Sequence, residues 1–257
     1  MNQNLSSISV IRQLHQHDLF YFTPRMLADL LNLEQAHIYR LVARLKTEEL
    51  IIEVEKGKYL VLGFEPERVL ANPFFIASHL VVPAYVSYWS ALHFYGFTEQ
   101  VPLTVFVATT KKKRPVTFRG LRFRFVAIQP RKFFGYRREI VGGLPALIAD
   151  EAKAIVDSLD QPRYAGGIAE VAKALQRALE VLDAPAMVEY ANQMGDKSLG
   201  SRLGFLLEMF GQPVVGLTCS DSPVKLDPAR PGEGDYIPRW RLIVNAPEAQ
   251  LQPLGVG

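Results

Sequence analysis

"TPRMLADLLNLEQAHIYRLVARLKTEELIIEVEKGKYLVL", residues 23–62, decides what kind of chain this is. Thr23 is a good N-cap and Pro24 takes the favoured first helical position, so a helix starts here with Met26, Leu27, Leu30 and Leu31 as its buried stripe. Asn32 and Leu33 form a short turn into a second helix. On that helix Ile38, Leu41, Val42 and Leu45 share one arc of the wheel at ~100° per residue, which assigns them to the core. "LIIEVEKGKYLVL" then alternates with period two and turns at Lys56-Gly57-Lys58, the pattern of a two-stranded hairpin. Its first strand projects Glu53 and Glu55, and its tip carries two lysines. Upstream, Leu5, Ile8, Ile11 and Leu14 recur at helical spacing and predict an amphipathic helix from about Ser6 to Gln16. Three helices followed by a basic-tipped hairpin predict a winged helix-turn-helix over residues 1–63.

The face of the third helix left outside the core points to a function. It presents Ala36, Arg40, Ala43 and Thr47, flanked by Gln35, His37, Tyr39 and Arg44, with no carboxylate until Glu48. Small residues allow close approach to a groove, and Arg, Gln and His reach base edges and phosphates. The expected DNA contacts are therefore Gln35, His37, Tyr39, Arg40 and Arg44 on the helix, with Lys56 and Lys58 on the backbone. Winged helices also serve as protein–protein modules. The first 63 residues hold seven basic and seven acidic residues, so an interaction module that does not touch DNA is the alternative.

Beyond a linker near Gly63 to Pro66, residues 64–257 read as a larger α+β domain with an antiparallel sheet and a helical C-terminal half. "PFFIASHLV" and "AYVSYWSALHFYGF" predict two uncharged, buried helices. The thirty residues from Val69 to Thr98 lack Lys, Arg, Asp and Glu, but Pro73 and Pro83 interrupt them, which argues for buried helices over a membrane span. Period-two alternation follows in "PLTVFVAT". Residues 111–138 then hold eleven Lys and Arg with no Asp or Glu, and one turn at Phe118-Arg119-Gly120-Leu121. Alternation points Leu121, Phe123 and Phe125 inward and Arg122, Arg124 and Val126 outward. Helices are predicted near 150–159, 166–182, 185–194 and 198–210, and "RWRLIVN" as a final strand.

The charge is uneven. The chain carries +3 in all, so the +11 of residues 111–138 leaves about −8 for the remainder. A surface salted only with cations suggests a second contact face through Lys111, Lys112, Lys113, Arg114, Arg122 and Arg124, for DNA, RNA or an acidic protein. One cysteine, Cys219, and a polar start after Met1 fit a cytoplasmic chain.

Catalysis has little to stand on. Glycine-rich phosphate loops are absent, His79 and His93 have no metal-ligand partners at short spacing, and no cofactor or catalytic residue is indicated. "LGSRLGF" is faintly like the start of a nucleotidyltransferase motif but lacks the paired carboxylates that would hold Mg²⁺. Glu151-Ala152-Lys153 has the E-x-K spacing of a restriction-like nuclease, a minor alternative, because only Glu139 stands upstream as a second acid.

The winged helix, "YVSYWSALHFYGFTEQVP" leading into "TVFVAT", and "IADEAKAIVDSLDQPRYAGGIAEVAKAL" together resemble the AbiEi-type antitoxin and transcriptional-regulator family of phage-defence operons. The resemblance spans nearly the whole chain and rests on the order of its motifs. It implies a DNA-binding autorepressor that recognises inverted repeats at its own promoter. It also implies that residues 64–250 counteract a nucleotidyltransferase-type toxin without a stable complex.

Overall fold

The computed structural model describes residues 5–251 as a mixed α+β fold. The N-terminal part runs α1 (Ser7–Gln16), β1 (Tyr21–Phe22), α2 (Pro24–Leu31), α3 (Gln35–Thr47), β2 (Ile51–Glu55) and β3 (Lys58–Val61). The Ser6 hydroxyl accepts from the Ser9 amide at 3.2 Å and the Thr23 hydroxyl from Met26 at 3.3 Å, so side chains satisfy amides that the first turns leave open. Asn32 ends α2 in the left-handed region that Asn tolerates.

Burial follows the helical period with two exceptions. Ile38, Leu41, Val42 and Leu45 are buried, as are Val10, Ile11, Leu14 and Leu27. Ile8 and Met26, expected in the core, are 55% and 41% exposed. Val10 takes the place of Ile8 in the stripe of α1, and the eight-residue α2 buries only Leu27 completely. A strand that the sequence did not announce, β1, pairs antiparallel with β3 and makes the hairpin a three-stranded sheet in the order β1-β3-β2.

Strand β3 belongs to two cores. Tyr59 and Val61 join the cluster built on α1, α2 and α3, whereas Leu60 and the following Leu62 join the main core of the chain. Successive strand side chains point to opposite faces, so one short strand serves both. Phe20 adds to the junction, edge-on against Phe75 with ring centroids 5.1 Å apart.

The chain continues through α4 (Pro66–Leu70), α5 (Pro73–Leu80), β4 (Ala84–Val86), α6 (Tyr88–Phe94), β5 (Thr104–Thr109), β6 (Val116–Phe118), β7 (Leu121–Ala127), β8 (Tyr136–Val141) and β9 (Leu144–Ala149). The six strands form one sheet in the order β6-β7-β5-β4-β9-β8. It is mixed and not antiparallel: β5 runs parallel to β7 and β4 parallel to β9. The segment expected to be one long helix from Ala84 starts as the central strand β4. All three of its residues are buried, so covering both faces erases the alternation that would have marked a strand. Val126, expected to face outward, is 3% exposed. The outward run of β7 stops at Arg124, and Phe123 and Val126 are both fully covered. Arg119 and Gly120 both have positive φ, which suits a two-residue hairpin turn between β6 and β7.

Four helices complete the main core: α7 (Glu151–Asp160), α8 (Ile168–Ala178), α9 (Ala184–Met194) and α10 (Lys197–Met209). Within it Lys153 is fully buried and paired with Asp157, whose other oxygen accepts from the hydroxyls of Tyr85 at 3.0 Å and Ser87 at 2.7 Å. Beyond them lies a small sheet of β10 (Val224–Lys225), β11 (Asp235–Ile237) and β12 (Leu242–Val244), followed by α11 (Glu248–Leu251). Among the described residues no helix is long and apolar enough to cross a membrane.

Candidate functional site

The outward face of α3 is open. Gln35, Ala36, His37, Tyr39, Arg40, Ala43 and Thr47 are all exposed, with Tyr39 at 55%. The Gln35 amide nitrogen donates to the Tyr39 hydroxyl at 3.3 Å, so two groups of the expected reading face are ordered against each other. Arg40 makes no ion pair among the described residues and extends from the middle of the face.

Arg44 is arranged differently. Its Nη2 donates to the Leu5 carbonyl at 2.5 Å and its Nε is buried without a hydrogen-bond partner among the described residues. That guanidinium holds Leu5, just before α1, and is not free to reach outward.

At the hairpin, Glu53 accepts from the Gly57 amide at 2.8 Å and pairs with Lys46 at 3.1 Å, which fixes the tight turn. Gly57 has φ near +70°, so the turn requires glycine or a residue that tolerates that region. Lys56 is exposed at the tip. Lys58 is not equally available, because it pairs with Glu55 at 3.4 Å. Glu55 also accepts from the Tyr21 hydroxyl at 2.5 Å and from Lys113 at 2.6 Å. Burial pushes the Glu55 carboxyl up, but Lys113, Tyr21 and Lys58 together outweigh it and hold it below the usual carboxylate range. Burial, and then the same carboxylate, push the Tyr21 hydroxyl far up.

The second basic region splits in the same way. Lys111, Lys112, Arg114, Arg122 and Arg124 are exposed and make no ion pair among the described residues. Lys113 turns inward to Glu55, with its ammonium 5.2 Å from the Phe125 ring centroid. Arg124 lies 4.9 Å from the centroid of Tyr164, and Arg163 lies 4.6 Å from the same ring. Arg163 thus joins the basic face from a short turn before α8. Its only signal in the sequence is the tripeptide Pro162-Arg163-Tyr164.

The chain resembles a solved structure in fold. That structure is the Rv2827c protein from Mycobacterium tuberculosis, with a TM-score of 0.55 and 14% identity over 94% of this chain and 92% of that one. At that identity the likeness to Rv2827c concerns the fold alone. No family model and no curated protein matches the chain.

Both charged residues of the E-x-K segment are paired within the fold. Arg137 grips both oxygens of Glu151, at 2.8 and 2.9 Å, and Lys153 is enclosed with Asp157 beneath the Phe134 ring. "LGSRLGF" is a packing element: Ser201 is buried and accepts from the Ser220 amide at 3.0 Å, and a side chain on Gly204 would run into Trp240. Among the described residues no three His, Cys, Asp or Glu side chains converge on a metal position.

Proposed function

We propose that the chain is a DNA-binding transcriptional autorepressor acting as the antitoxin of a toxin–antitoxin, abortive-infection operon. Residues 1–63 would form a winged helix-turn-helix, with α3 in the major groove and Lys56 of the hairpin on the phosphates. The observation that carries this reading is the outward face of α3. It is exposed, ordered by Gln35 and Tyr39, and centred on an arginine that, among the described residues, makes no ion pair and has no carboxylate beside it on that face. Arg40, Gln35 and His37 would contact base edges or backbone, while Ala36 and Ala43 permit close approach. The antitoxin part of the proposal rests on the family resemblance, with residues 64–250 opposing a nucleotidyltransferase-type toxin.

The exposed cations of residues 111–124, with Arg163, would add a second phosphate- or acid-binding surface. The experiment is a gel-shift titration on the DNA upstream of the chain's own gene over a range of salt. Neutralised phosphates release counterions, so log K should fall with log salt at a slope of about −0.9 per phosphate contacted. A flat salt dependence with no retarded band would favour the second reading, a protein-interaction module. That reading draws support from the pairing of Lys46, Lys58 and Lys113 with glutamates of the hairpin.

A further inference from the structure

A crevice of about 200 Å³ lies where the loop between α1 and β1 meets α5 and the large sheet, lined by Asp18 and Phe20 on one side and by His79, Arg138, Pro145 and Leu147 on the other. Asp18 and Arg138 are exposed, and among the described residues neither pairs with the other nor with any other charge. Both act on His79, the carboxylate favouring its charged form and the guanidinium opposing it, so the two opposite charges flank one imidazole. His79 Nδ1 is 2.7 Å from the Phe75 carbonyl oxygen. That oxygen can only accept, so the neutral ring carries its hydrogen on Nδ1 and keeps Nε2 as an acceptor. Burial holds the ring in that neutral form. Asp18 adopts φ near +50°, a conformation uncommon outside glycine, which places its side chain at the end of α1.

We infer that this crevice binds a free α-amino acid with a small aliphatic side chain, its ammonium on Asp18 and His79 Nε2, its carboxylate on Arg138, and its side chain against Phe20, Pro145 and Leu147. A simple anion is repelled by Asp18 and a simple cation by Arg138, so the pair selects a molecule that carries both charges. Drug-sized ligands occupy about 300–1,000 Å³, and a crevice below that range fits a small metabolite. Its walls come from both parts of the chain, so an occupant would bridge them and stiffen their junction. This goes beyond the DNA-binding reading and does not depend on it.

The test is calorimetric titration of the full chain with L-alanine, L-valine and L-leucine, with isovalerate and isobutylamine as controls that each lack one charge. At least one amino acid should bind, and both controls should bind at least about tenfold more weakly. Asp18→Asn and Arg138→Gln, both at exposed positions, should each weaken amino-acid binding about tenfold or more while the circular dichroism spectrum stays unchanged. Absence of heat with all three amino acids would overturn the inference, as would equal binding by the controls or by both variants. No DNA enters the measurement, so failure here leaves the promoter-binding reading untouched, and failure of that reading leaves this one standing.

Discussion

Lys113 Nζ lies 2.6 Å from Glu55 Oε2, joining residues 58 positions apart and tying the end of β2 to the loop that precedes β6. The same oxygen lies 3.4 Å from Lys58 Nζ, so one carboxylate occupies two cations that a phosphate backbone could otherwise use. On the DNA-binding reading, Glu55→Gln should tighten operator binding several-fold and steepen the salt dependence by up to about two counterions. Gel shifts at three salt concentrations would measure both. A fall in affinity would instead make Glu55 a holder of the hairpin and nothing more.

Arg40 and Arg44 are neighbours in sequence pattern and opposites in structure. Arg40→Ala should cost about 1–3 kcal/mol of DNA binding if it makes a good base contact, and leave thermal stability unchanged. Arg44→Ala removes a charge-assisted bond to the Leu5 carbonyl and should destabilise the fold by about 1.5–3 kcal/mol with a smaller direct effect on affinity. Paired melting curves and gel shifts would separate them. Equal losses of affinity at equal stability would refute the distinction.

Exchanging Arg122 and Arg124 together for glutamate reverses the exposed face of β7 without touching its buried Phe123. The expected outcome is loss of DNA affinity or of toxin neutralisation with the fold retained. A double variant that keeps both activities would reduce this surface to a solvated sheet face.

Most of α3 was legible because a helix with one buried side keeps its period in the sequence: Ile38, Leu41, Val42 and Leu45 mark the core, and what remains marks the outside. Strand β4 was not legible, since Ala84, Tyr85 and Val86 are covered on both faces and carry no alternation. The fate of each cation was not legible either. Lys56 and Lys58 look alike in a hairpin tip, and only the fold brings Glu55, Tyr21 and Lys113 to one point. Lys153 and Asp157 have the i,i+4 spacing of an exposed helix pair, yet both are buried in the interior of the fold.

That enclosure has a measurable cost when broken. Asp157→Ala leaves the Lys153 ammonium and the hydroxyls of Tyr85 and Ser87 without their acceptor, and should destabilise the fold by about 3–5 kcal/mol in urea denaturation. Replacing the pair together, as Lys153→Met with Asp157→Leu, should recover a substantial part of the loss. A single variant that melts like the wild type would contradict the buried pairing.

Burial depresses the affinity of His79 for a proton, although its bond to Phe75 and the Asp18 charge partly oppose this. The unfolded chain takes up that proton near about pH 6.5 and the folded chain resists it, so stability is full above that value and is lost as pH falls through the folded value. The urea midpoint of the wild type should therefore drop between about pH 7.5 and about pH 5.5 by more than that of His79→Gln. Identical slopes for the two proteins would remove His79 as a source of acid sensitivity.

Strand β3 packs Tyr59 and Val61 into one core and Leu60 and Leu62 into the other. A slip of one residue in its pairing would exchange the two sets and spoil both interiors at once. Cutting the chain just after it would uncover Leu60 and Leu62 on the severed N-terminal piece. The segment that would touch DNA is therefore not a detachable head on a swivel. It shares its free energy of folding with the body, and a disturbance in one is felt in the other.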